Sequence, residues 1–174
     1  MHLKRLIKDR RGAAAVEFAF VAPVMILMYY GLAELTQGMM ADRRASHVAS
    51  AIGDLVAQDT AVNTSEMSDI FKVGEAIIAP FPTSGLSMRV TSIRRDSTGA
   101  IQVMWSKSYG SLGTLSTVAS LPAGLVANNE SVILSESSYV YNSATKQALP
   151  NALTFTQKYY LKPRKTAQVT WSTS

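Results

Sequence analysis

The sequence predicts an α+β protein: a long N-terminal helix, its first half able to span a membrane, packed on an antiparallel sheet of four to five strands. Three observations carry that expectation. A short basic tail precedes 21 almost uncharged residues, a helical period continues well past them, and a two-residue period takes over after Pro82.

The tail comes first. Among 174 residues the net charge is +5, and residues 1–12 hold Lys4, Arg5, Lys8, Arg10 and Arg11 against Asp9 alone. That leaves a charge of +1 for everything that follows. A nucleic-acid-binding domain spreads basic residues over a folded face, so this confined charge argues against nucleic acid and for a membrane surface. Cysteine is absent, which removes disulfides, thiolate metal sites and thiol nucleophiles. His2 and His47 stand far apart, so a multi-histidine metal site is not expected, and no cofactor is.

From Ala13 to Ala33 the chain reads AAAVEFAFVAPVMILMYYGLA, with Glu17 its one ionisable acid or base. At about 1.5 Å per residue such a helix covers roughly 30 Å, the hydrocarbon thickness of a bilayer. Basic flanks stay in the cytoplasm, so residues after 33 are expected on the far side, the periplasm of a bacterium. Pro23 should kink the span. Gly31 and Ala33 also offer a small-residue pattern for signal cleavage, but the apolar run is longer than a signal core and the helical pattern continues through it.

Beyond the span, Leu35, Met39, Ala45, Val48, Ile52 and Leu55 form one apolar stripe, with Glu34, Gln37, Arg43, Arg44, Asp54 and Asp59 on the other sides. One helix from Ala13 to about Gln58 would be roughly 70 Å long. Its half over residues 34–59 is expected to lay that stripe on a head formed by residues 60–174. His47 should lie on its surface. Ser65, with Asp69 close behind, suggests the start of a short helix over about Glu66–Ala79, which Pro80 and Pro82 end.

Strands follow. Leu86–Arg95 and Ala100–Ser108 flank the hairpin turn Asp96-Ser97-Thr98-Gly99. Residues 106–129 are rich in Ser, Gly and Thr and read as a long loop or a weak helix. Ser131–Tyr141, Thr154–Leu161 and Thr166–Trp171 are three further strands, the last two separated by Lys162-Pro163-Arg164. Such a sheet has one apolar face for the helix to cover. Its carboxylates, among them Glu66, Asp69, Glu75, Asp96, Glu130 and Glu136, are scattered without a catalytic motif, and Gly110, Gly113 and Gly124 make no phosphate loop. No enzymatic chemistry is expected.

Glu17 stands out. A carboxylate in lipid costs on the order of 2.5–3.5 kcal/mol on insertion scales, so it stays hydrated near the interface, becomes protonated, or finds a partner. If the chain were cut after Gly12, Ala13 would gain an ammonium and Glu17 would be the fifth residue. A neighbouring subunit's ammonium could then pair with Glu17 and set the register of packed helices.

The stretch RRGAAAVEFAFVAPV resembles the N-terminal region of TadE-like proteins, pilin-like components of the tight adherence (Flp) pilus systems of bacteria. A basic leader, Gly at −1, Glu at +5, an aromatic at +6 and an apolar helix is also the general pattern of type IV prepilins, and the run from about Arg10 to Val56, with Pro23 inside the span, looks like the TadE-like segment as a whole. Phe18 stands where the major pilins of these systems usually have Tyr. The resemblance implies a type IV pilin-like fold and a processing site at Gly12 and Ala13 cut by a prepilin peptidase. It implies Glu17 as the subunit-pairing acid. It further implies partnership with other pilins, pilin-like subunits and an inner-membrane assembly platform, with membrane lipid around Phe18 and Pro23. The expected role is that of a minor pilin or pseudopilin-like subunit in the inner membrane, entering a pilus or its base. An unprocessed, single-span anchored protein with a periplasmic binding head is the alternative.

Overall fold

The computed structural model describes residues 11–118 and 121–173. Helix α1 (Arg11–Ala57) is continuous over 47 residues with Pro23 inside it, as the uninterrupted apolar period requires. Its described residues belong to two compact units. One comprises the chain to Gly38 together with Asn142–Ala152, and the other comprises Met39–Tyr141 and Leu153 onward.

In the second unit the remaining elements follow in order: β1 (Ala61–Val62), α2 (Thr64–Ile78), a 3-10 turn (Thr83–Gly85), β2 (Leu86–Arg95), β3 (Ile101–Tyr109), β4 (Ser131–Tyr141), β5 (Leu153–Leu161) and β6 (Thr170–Trp171). The four long strands form one antiparallel sheet in the order β3-β2-β4-β5. The β2–β3 hairpin closes through Asp96, whose side chain accepts from the backbone of Thr98 and Ala100 at 2.9 Å each, while Gly99 takes a φ of 89°.

The outer half of α1 packs on this sheet. Ala41, Ala45, Val48, Ala49, Ile52 and Val56 are buried at helical spacing. The expected stripe is therefore shorter than its sequence pattern: Leu35 and Met39 are exposed, and of the apolar side chains the first buried one is Ala41. Polar groups join the apolar ones in holding helix to sheet. Ser135 Oγ donates to Ala49 O at 2.6 Å and Ser137 Oγ to Ala45 O at 2.7 Å, so β4 is tied to the helix by buried hydroxyls. At Gly53 a Cβ would stand 2.6 Å from Leu161 Cδ1 and 2.7 Å from Ser135 Cβ, and close approach is what selects glycine there. His47 is exposed, as expected.

Three sequence expectations are corrected. The second helix starts at Thr64, capped by Asn63 and not by Ser65. Glu66 N donates to Asn63 Oδ1 at 3.0 Å and Asn63 N donates to Glu66 Oε2 at 2.9 Å, a reciprocal capping box that Ser65 with Asp69 cannot build. The strand expected over Thr166–Trp171 contracts to two residues and pairs in parallel with Ala61–Val62, outside the main sheet. The long stretch after β3 is irregular among its described residues, and its isolated apolar side chains have a packing role. Leu115, Val118, Leu121 and Leu125 lie against a cluster of Ile93, Val126, Val132 and Leu134 on the sheet face opposite the helices. Both faces of the central strands are thus covered, where one was expected. Glu136 is buried on that second face, paired with Arg89 at 2.6 Å and Lys158 at 2.9 Å.

Candidate functional site

The candidate site lies on the first half of α1 and has two parts. The first is the apolar surface itself. From Gly12 to Phe20 every residue is exposed, and Phe18 reaches 71%. Val24, Ile26, Leu27 and Leu32 continue the exposed apolar surface, with none of its most apolar window buried by the protein. Among the described residues this is the one helix long and apolar enough to cross a membrane. Tyr29 and Tyr30 sit at its outer end with their rings edge to face, 6.0 Å apart. Amphipathic rings at that position suit the headgroup boundary.

Gly12, Ala13 and Glu17 fall on the first turns of this helix, with Glu17 about 6 Å further along the axis than Ala13. All three are exposed, as are Phe18 and Pro23. No heavy atom lies within 4 Å of where a Cβ on Gly12 would stand, so packing places no demand for glycine at that position. Lys4, Arg5, Lys8 and Arg10 lie outside the described residues, as does the side chain of Arg11.

The second part was not expected. Glu34, which the helical pattern puts on the polar side, is only 5% exposed. Residues 142–149, in the same compact unit, wrap its carboxylate. Gln147 N donates to Oε1 at 2.8 Å, and Ala148 N and Leu149 N donate to Oε2 at 2.8 and 2.7 Å. The Thr145 hydroxyl donates to Oε1 as well. Lys146 takes a left-handed φ of 53°, the kind of backbone turn that aims successive amides at one point. The Thr145 hydroxyl first, and the three amides with it, hold the Glu34 carboxyl at a pKa of about 2, well below the usual carboxylate range, against the opposing effect of burial. Beside this cradle Ile26, Leu27, Tyr30, Thr145 and Gln147 line an open groove of about 440 Å³.

Sequence reasoning missed Glu34 because its partners are more than a hundred residues away and three of them are main-chain amides. Amides leave no mark in a residue pattern. The one local signal is an acid placed immediately after an uncharged span.

The described residues contain no cluster of three or more His, Asp or Glu able to hold a metal ion. What the site offers is surface and pairing: an apolar helix needing a partner phase, one acid on its early turns, and a second acid fastening a loop where the apolar run ends.

Residues 12–53 match the family model described as TadE-like protein, over the segment whose residues suggested that resemblance. No curated protein and no solved structure matches the chain at a significant level.

Proposed function

We propose that this protein is a pilin-like subunit of a tight adherence (Flp) pilus, a minor pilin or pseudopilin held in the bacterial inner membrane by α1 with its head in the periplasm. The TadE-like match over residues 12–53 supports a pilus-associated pilin-like component. The observation that carries the rest is the exposed apolar first half of α1 bearing a lone carboxylate, Glu17, one turn beyond Gly12 and Ala13.

In this reading a prepilin peptidase cuts between Gly12 and Ala13. Glycine in a helix costs about 1 kcal/mol relative to alanine, and nothing packs against Gly12 to require it. A requirement imposed by a processing enzyme supplies the missing reason. Cleavage removes the basic leader and exposes the Ala13 ammonium at the membrane edge. That ammonium of one subunit pairs with Glu17 of the next, and each charge relieves the other's desolvation. Phe18 and the apolar residues after it then exchange lipid for neighbouring helices in the pilus or its assembly platform.

The test is the first residue of the mature chain, read by N-terminal sequencing and intact mass from hosts with and without the peptidase. The reading expects Ala13 in the first host and the intact leader in the second. A leader retained in both hosts refutes processing and favours a single-span anchored binding protein instead. The Glu17→Ala variant should insert and fold normally yet abolish piliation, scored by electron microscopy of sheared surface fractions. Normal piliation in that variant removes the pairing mechanism.

A further inference from the structure

We infer that the head carries a binding site for an acidic sugar unit, a carboxylate borne on a polyhydroxylated ring, in the groove between the first turns of α2 and strand β3. This site is independent of the assembly reading, since none of its residues lies on α1.

The groove is built by topology. Parallel pairing of β6 with β1 carries Trp171 to the start of α2, and β3 supplies Lys107 and Ser108 from the other side. Met67 and Phe71, both buried, form an apolar floor, and the space encloses about 210 Å³. That is below the roughly 300–1,000 Å³ of pockets for drug-sized ligands, and it suits a single ring.

Its polar groups are an ammonium and an indole N–H, which can only donate, and three hydroxyls, which donate or accept, those of Thr64 and Ser68 being exposed. The hydroxyls of Thr64, Ser68 and Ser108 and the indole N–H of Trp171 have no protein hydrogen-bond partner among the described residues. The neighbouring indole differs: Trp105 Nε1 donates to Val169 O at 2.9 Å and is satisfied. Lys107 Nζ lies 4.0 Å from the centroid of the Trp171 ring, half-buried, with no carboxylate within salt-bridge distance among the described residues. The acids of α2 are engaged elsewhere. Glu66 accepts from Asn63 N, Asp69 pairs with Lys72, and Glu75 accepts from the Tyr109 hydroxyl.

An ammonium, an N–H and three hydroxyls over an apolar floor complement a ligand rich in acceptors with one negative charge. A carboxylate alone would use Lys107 and one or two hydroxyls. The spread of donors from Thr64 to Ser108 calls for further acceptors on the same ligand, which the hydroxyls of a uronic acid provide. The carboxylate would draw Lys107 toward itself and away from the Trp171 ring, which makes binding visible.

Trp105 and Trp171 are the only tryptophans, and their rings lie 5.7 Å apart, so tryptophan emission comes from Trp171 in the groove and from the buried Trp105 beside it. Full-length protein in detergent should be titrated with glucuronate, with glucose, and with an acidic tetrapeptide. The expected result is a saturable change in emission with glucuronate, half-complete at about 1 mM. Glucose should bind about tenfold or more weakly, and Lys107→Met should weaken glucuronate by a similar factor, the size of one charge-assisted hydrogen bond. Ser68→Ala, a milder change on the exposed side of α2, should weaken it severalfold and keeps the test available if Lys107→Met fails to fold. No response to glucuronate, equal response to glucose, or a response to the acidic peptide alone overturns the inference.

Discussion

Glu34 is the residue whose environment most separates the folded chain from any extended one. Its carboxylate has four donors, three of them consecutive amides of residues 147–149, and they hold its pKa down to about 2 from the usual 4.5. A depressed carboxyl pKa stabilises the folded state fully above the unfolded value and loses that contribution as pH falls through the folded one. The window is therefore about pH 4.5 down to about 2. The protection of the amides at residues 147–149, their exchange rate relative to that of an unstructured peptide at the same pH, should be high at pH 5 and fall across that window. In Glu34→Gln the same amides should exchange fast at every pH, and limited proteolysis should cut within residues 142–152. Slow exchange in Glu34→Gln would show that the carboxylate does not hold this loop. The sequence displayed the opposite case at Glu17, an acid inside an apolar run, because that anomaly is local. Glu34 stands where the apolar run gives way to Thr36 and Gln37, one turn before Gly38, a place where an acid is ordinary.

At the scale of elements, α1 meets the sheet through two devices, and only one of them was visible beforehand. Helical periodicity marked Ala45, Val48 and Ile52 as a buried face because burial and period are the same information. The seat of Gly53 against Leu161 and Ser135 was not legible, since a glycine in a helix signals weakness or close packing equally. Gly53→Val should cost about 1–3 kcal/mol by overpacking, read from thermal or denaturant unfolding, with helix content retained. An unchanged midpoint would mean that β4 and β5 can retreat from the helix. The serines of β4 were legible as strand residues but not as ties to Ala45 and Ala49, because a hydroxyl names no partner. Asn63 was overlooked for a related reason. The cap it makes with Glu66 has the Asx-x-x-Glu spacing, and Ser65 with Asp69 nearby drew the reading two residues too far.

For the whole molecule, the class of fold and four of the strands followed from period and turn chemistry alone. The parallel pair of Ala61–Val62 with Thr170–Trp171 did not, because two residues carry no period and their partners are 109 positions apart in register. The covering of the second sheet face was likewise hidden, as its apolar side chains come singly from an irregular segment. The proposed topology has a clean test, because the native chain lacks cysteine. A single cysteine at the exposed Lys165 should react with a membrane-impermeant maleimide in intact cells whose outer membrane is permeabilised, and one replacing Lys4, placed in a host without the peptidase so that the leader is kept, should react only after lysis. Labelling at Lys4 before lysis would reverse the orientation.

The glycine seat at position 53 also bears on force. A helix resting on a flat sheet can slide lengthwise at little cost, whereas here a strand wall enters a gap in the helix that only a missing side chain leaves open. Moving α1 along its own axis would drive a neighbouring helical side chain into Ser135 or Leu161. The joint therefore resists lengthwise sliding in either direction, and a pull along the axis of α1 would load the β4–β5 framework in shear.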